Sequence, residues 1–135
     1  MTQAAAPFVD TNVLLYLLSG DEAKADKAEA LLARRIVISV QVLNEFTNVA
    51  RRKMGLEWPV VEQALSDVRR FADVRPLTFA THQGSVALAK RYRLSVYDAM
   101  IAAAALEAGC TTLASEDFST GQRLDGRLTI RNPFA

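Results

Sequence analysis

Pro7-Phe8-Val9-Asp10-Thr11-Asn12-Val13-Leu14-Leu15-Tyr16-Leu17-Leu18-Ser19-Gly20 is the stretch on which the reading of the fold turns. Pro7-Phe8-Val9 is a short apolar run that ends on an acid, and it reads as a strand. Asn12 to Leu18 is apolar and helix-compatible, and Ser19-Gly20 stops it. The same stretch faintly resembles the apolar core of a secretory leader. It carries Asp10 and Asn12, and no basic residue precedes it, so that reading is set aside. Met1 to Ala6 reads as a frayed start.

Downstream the alternation continues. Asp21 to Leu32 has Ala25, Ala28, Leu31 and Leu32 at helical spacing, with Asp21-Glu22 favourably placed at its positive end. Ile36-Val37-Ile38-Ser39 is a short β-branched run and reads as a buried strand. Val40 to Met54 follows as a helix, and Gly55 ends it. Pro59 suits the first turn of another helix, to about Ala72. Asp73 to Leu77 reads as a third strand, and Phe79 to Tyr92 as a helix. Ser95 opens an Ala-rich helix closed by Gly109. It is apolar nearly all round, which predicts burial on several sides. Thr111 to Ser115 and Leu128 to Ile130 read as the last two strands. Strands alternating with helices predict an α/β layer fold with a mostly parallel sheet of four to five strands. No linker divides the 135 residues, so a single domain over 1–135 is expected.

Composition narrows the chemistry. The chain is 50% hydrophobic and 23% charged, an ordinary globular balance. One cysteine excludes an internal disulfide and a thiolate zinc site, and one histidine leaves little room for Ser–His chemistry. No apolar run approaches the ~20 residues that span a bilayer. No membrane association is expected, and a reducing, cytoplasmic setting is.

What remains is acids. Asp10 and Asp117 each follow a strand, Glu45 lies at the edge of the apolar face of its helix, and Asp98 begins the Ala-rich helix. Each has an ordinary explanation. Asp10 could cap a helix, Glu45 could be solvated, Ser95-Val96-Tyr97-Asp98 has capping-box spacing, and Asp117 could be a turn acid with Glu116 as competitor. Together they argue differently. In a parallel sheet, strand ends and helix starts gather at one edge, where ligands bind. Clustered carboxylates repel unless a cation neutralises them. An oxygen-only donor set selects Mg²⁺ or Mn²⁺, which can polarise a phosphoryl oxygen and activate water.

Phe8-Val9-Asp10-Thr11-Asn12, Asn44-Glu45-Phe46, Tyr97-Asp98-Ala99 and Leu113-Ala114-Ser115-Glu116-Asp117-Phe118 occur in that order. In this the chain resembles the PIN-domain family, and within it the VapC-like ribonuclease toxins of toxin–antitoxin pairs. Ala108-Gly109-Cys110 and Asn132-Pro133-Phe134 also look VapC-like. The resemblance implies a three-layer sandwich, a parallel sheet between helices. It implies an acidic quartet, Asp10, Glu45, Asp98 and Asp117, that binds Mg²⁺ or Mn²⁺ and cleaves RNA. Thr11, Asn12 and Ser115 match the supporting polar positions. It also implies a cognate antitoxin, with a homodimer or a toxin–antitoxin hetero-oligomer as the assembly. Fourth-acid usage varies in the family.

With the quartet set aside, 16 basic residues face 11 acidic ones. Arg51-Arg52-Lys53, Arg69-Arg70 and Lys90, Arg91, Arg93 are candidate phosphate contacts, with Arg52 foremost because it lies two turns on from Glu45. Asn44 and Asn48 are poor helix formers inside a helix. Trp58 reads as an anchor at a helix junction or part of a partner surface. Cys110 reads as a small buried hydrophobe. Leu14, Leu15, Leu17, Leu18, Leu31 and Leu32 crowd the first two helices, and some are expected to stay exposed for a partner. Three other functions compete: a housekeeping RNA-processing nuclease of the same fold, a non-catalytic metal- or RNA-binding module, and a phosphoacceptor signalling domain. The last needs a lysine after a late strand, and none is present.

Overall fold

Two short apolar segments make the middle of the sheet. β1 (Phe8–Val9) and β2 (Ile36–Ser39) are buried at every residue, as strands covered on both faces must be. The computed structural model describes residues 6–135, so of the frayed start expected over Met1 to Ala6 the first five residues lie outside the described residues, and Ala6 packs partly buried against the core. Beside β2 lies β3 (Ala72–Arg75). On the other flank of β1 come β4 (Thr112–Ala114), β6 (Leu128–Arg131) and β5 (Arg123–Leu124), giving the order β3-β2-β1-β4-β6-β5. All pairs are parallel except β5 with β6. After β1 the chain moves outward through β2 and β3, then returns to the far side of β1 as β4. The order therefore reverses at β1 and β4, which opens a crevice beyond their carboxyl ends.

The helices flank this sheet. α1 (Thr11–Leu15) runs on as a 3-10 turn, Tyr16–Leu18. α2 (Glu22–Ala33) is capped by Asp21, whose carboxylate accepts from the Lys24 N–H. α3 (Val40–Arg52) buries Val42, Phe46 and Ala50, and with them the polar Gln41, while Asn44 and Asn48 stay exposed. α4 (Trp58–Phe71) has Pro59 in its first turn, and α5 (Phe79–Tyr92) opens on a Thr78–Thr81 capping box. α6 (Val96–Glu107) lies between α5 and strands β2, β4 and β6. That position explains its apolar circumference: Ala99 and Ile101 to Ala105 are all buried, and the alanines let two layers approach closely.

The α/β architecture is the expected one, and three details differ. The sheet has six strands, one more than the upper expectation. The missed β5 is two residues long, too short for alternation, and is joined to β6 through Asp125-Gly126-Arg127, with Asp125 and Gly126 both at positive φ as the tight turn closed by Arg127 N–H on Leu124 O requires. The third strand begins at Ala72 directly from α4 and ends at Arg75, because Pro76 has no N–H for the ladder. None of the six leucines is left exposed: Leu14 and Leu32 are buried, and Leu15, Leu17, Leu18 and Leu31 pack partly buried against the core. Cys110 is buried as expected, and burial pushes its thiol up to about 11.

Candidate active site

Asp10 ends β1 at the strand reversal and is only 5% exposed. It is also the N-cap of α1, as its ordinary explanation had it: one carboxylate oxygen accepts from the Thr11 N–H at 2.7 Å. The other accepts from the Ser115 hydroxyl at 2.7 Å, across the sheet from the end of β4. Burial pushes the Asp10 carboxyl up to about 6 against these two bonds, with the Asp117 and Glu45 charges adding to the rise.

The polar residues around it form a chain of ties. The Thr11 hydroxyl donates to Glu45 at 3.4 Å, linking the start of α1 to the middle of α3. Ser115 accepts from the Asp117 N–H at 3.0 Å while donating to Asp10, so one hydroxyl sets both acids. Asn12 accepts from the Glu116 N–H at 3.4 Å and holds the loop after β4 against α1. Thr11, Asn12 and Ser115 thus each touch an acid of the quartet or the loop that carries one.

All four acids, Asp10, Glu45, Asp98 and Asp117, line one cleft of about 290 Å³. Glu45 is raised by burial above all, then by the Asp98 and Asp117 charges, against bonds from Gln41 and Thr11. Asp98 is raised by burial and by Asp117, against the Ser95 hydroxyl. Only half of the expected capping box forms at α6. Ser95 accepts from the Asp98 N–H at 3.1 Å, but the Asp98 carboxylate faces the cleft and makes no return bond to the Ser95 backbone. Glu116 points elsewhere. Its carboxylate accepts from Tyr16 at 2.8 Å and from Lys24 at 3.1 Å, which leaves Asp117 as the acid of that loop in the cleft.

The sequence reading gave no role to two cleft residues, Gln41 and Tyr97, and named Lys53 only among several candidate phosphate contacts. Gln41 is 7% exposed, donates to the Tyr97 carbonyl at 3.1 Å, and leaves its own amide oxygen without a partner. Lys53 brings a cation to the wall, and Tyr97 stands exposed at the rim. Gln41, Glu45, Val49 and Lys53 are four apart on α3, a spacing that could have found them. Arg52 lies outside this cleft and lines a neighbouring groove with Trp58. Among the described residues, no three acid side chains are arranged, as they stand, to hold one ion. The donor set nonetheless suits a hard cation. It is all oxygen, it includes a buried carboxylate that burial and like charge oppose, and an unpartnered amide oxygen adjoins it.

A mostly parallel sheet between helices, with acids gathered where its strand order reverses, defines a class of α/β proteins with an anionic cleft at the sheet's carboxyl edge. The chain belongs to the PIN domain family, whose model matches residues 8–120. Among solved structures, a toxin–antitoxin complex from Klebsiella pneumoniae is similar at 25% identity and a TM-score of 0.70, covering 94% of this chain and 97% of that one. A sarcin–ricin loop cleaving VapC toxin from Mycobacterium tuberculosis matches at 22% identity and a TM-score of 0.66, covering 82% and 90%. A VapBC complex from Rickettsia felis, bound to a DNA fragment from its promoter, matches at 17% identity and a TM-score of 0.66, covering 93% and 98%. No curated protein matches the sequence significantly. Among the described residues, no helix is long and apolar enough to cross a membrane.

Proposed function

We propose that this chain is a single-domain, Mg²⁺- or Mn²⁺-dependent endoribonuclease that hydrolyses RNA phosphodiester bonds as the toxin of a toxin–antitoxin pair. The observation that carries the reading is the convergence of Asp10, Glu45, Asp98 and Asp117, from four separate segments, on one cleft at the strand reversal. PIN-domain nucleases generally depend on divalent metal. The similar structures from Klebsiella and Mycobacterium, a toxin–antitoxin complex and a sarcin–ricin loop cleaving toxin, support the toxin half.

In this reading the four acids hold the cation. When bound, Mg²⁺ or Mn²⁺ supplies Lewis-acid polarisation of a phosphoryl oxygen and eases ionisation of water. The chain's own groups do the rest. Ser115 and Thr11 fix the Asp10 carboxylate from both sides, Thr11 keeps Glu45 within reach of it, and Asn12 steadies the loop that carries Asp117. Lys53 offers a charge to the phosphate at the wall. A cytoplasmic toxin of this kind works beside an antitoxin that keeps it silent.

Cleavage of end-labelled RNA by the purified chain with Mg²⁺, Mn²⁺ and EDTA is the direct test. Cleavage with either metal, none with EDTA and none by Asp10→Asn is expected. Full cleavage in EDTA by a preparation free of contaminating nuclease overturns the mechanism. Harmless expression of soluble wild-type chain, where growth arrest is expected, overturns the toxin assignment.

A further inference from the structure

α3 has a second functional face. Gln41, Glu45, Val49 and Lys53 wall the acidic cleft, while Asn44, Asn48, Arg51 and Arg52 turn to an adjoining groove of about 510 Å³, closed by Trp58. A tight reversal after α3 brings Trp58 there: Gly55 takes φ +65°, and Leu56 N–H bonds back to Ala50 O at 3.0 Å. Arg51 is fixed in place. It donates to Leu56 O at 2.9 Å, and its guanidinium lies 4.6 Å from the Trp58 ring centroid. Even so, Trp58 remains 48% exposed. The groove is neither a plain apolar face nor a solvated helix surface. Asn44 and Asn48 are exposed one turn apart, and among the described residues their amides bond to nothing. Among the described residues, Arg51, Arg52 and Lys53 form no ion pair.

These features answer one kind of ligand. We propose that the groove binds an unpaired base of single-stranded RNA next to the scissile phosphate, the base stacking on Trp58 and reading the Asn44 and Asn48 amides while Arg52 meets the adjoining phosphate. Bases offer a π-face to an aromatic ring and a donor–acceptor edge to an amide, and unpaired RNA exposes both. Charge favours a polyanion over a protein segment, since the groove carries two arginines and no acid. Continuity favours RNA held in the cleft, because both sites share α3, about 10 Å wide with its side chains. The inference rests on the ribonuclease reading and names the part of the substrate that this site takes.

Trp58 is the chain's one tryptophan, so its emission reports on this groove alone. In EDTA, where the strand stays intact, a short oligouridylate should quench that emission. An abasic strand of equal length and charge should bind more weakly and leave it bright. Asn48→Ala should raise KM for RNA with kcat little changed, and Trp58→Phe should keep most of the affinity. Trp58→Ala should weaken binding roughly 5- to 150-fold, the equivalent of one stacked base. Arg52→Ala should make the log–log salt slope shallower by about one. Equal quenching by the abasic strand, or saturation seen by anisotropy with emission unchanged, overturns the proposal. Quenching by a protein partner but by no RNA overturns it too and gives the groove to that partner. The ribonuclease reading fails separately: base-dependent quenching with no cleavage in Mn²⁺ removes that activity and keeps the base site, and cleavage without quenching does the reverse.

Discussion

Replacing Asp10 with asparagine should stabilise the metal-free protein, and only at neutral pH. The Asp10 carboxyl stands at about 6 against an ordinary 3.8, so keeping it ionised above pH 7 costs the folded state about 3 kcal/mol. An asparagine avoids that cost. It also exchanges two bonds to a carboxylate, from Ser115 and Thr11, for bonds to a neutral amide, and Ser115 must turn to accept from the new N–H. That exchange offsets about 1–2 kcal/mol. A net gain of about 1–2 kcal/mol is therefore expected in urea melts with EDTA at pH 7.5. The sign of the pH dependence follows from the raised value. The wild type gains stability as pH falls through about 6 and holds the full gain below 3.8, whereas the variant lacks this component. The difference between them should shrink to nothing, or reverse, near pH 4. A variant less stable at pH 7.5, or a difference equal at both pH values, would refute the reasoning.

At α6, Ser95→Ala should cost about 1 kcal/mol through the lost cap and spare cleavage. Asp98→Asn should hold or raise apo stability, abolish most cleavage and shrink the stabilisation by Mn²⁺; a less stable yet fully active Asp98→Asn would return that acid to a capping role. In the loop after β4, Asp117→Asn should impair cleavage more than Glu116→Gln, whose carboxylate is engaged by Tyr16 and Lys24; the opposite order in a cleavage assay would exchange their roles. Cys110 should resist a disulfide-exchange reagent until urea unfolds the chain, since it is buried and its thiol stands at about 11; fast labelling of native protein would contradict its placement.

Several features were legible in the residues alone. Periodicity separated Ile36–Ser39 from the helix that follows it, and the apolar circumference of Val96–Glu107 announced a helix covered on more than one side. The scarcity of histidine and cysteine left carboxylates as the candidate functional groups, and the places of Asp10 and Asp117 after strands, with Asp98 at a helix start, put these at one edge of a parallel sheet. Direction was not legible. Glu116 and Asp117 are adjacent in sequence, and only the bonds to Ser115, Tyr16 and Lys24 decide which of them enters the cleft. On α3, a seven-residue step from Glu45 favoured Arg52, but the cleft follows the four-residue ridge, which drifts about 40° per step, and so reaches Lys53. Exposure of the leucines depended on what the 3-10 turn and α2 pack against, which no local pattern encodes. The rise of Asp10 is likewise a property of the assembled fold: its burial comes from the sheet and the helices around it, and its like-charged neighbours lie 35 and more residues away in sequence. Sequence sets which groups are available and roughly at which edge they gather. Tertiary packing sets which way each one points and how much water it keeps, because orientation and solvation are made by neighbours distant along the chain.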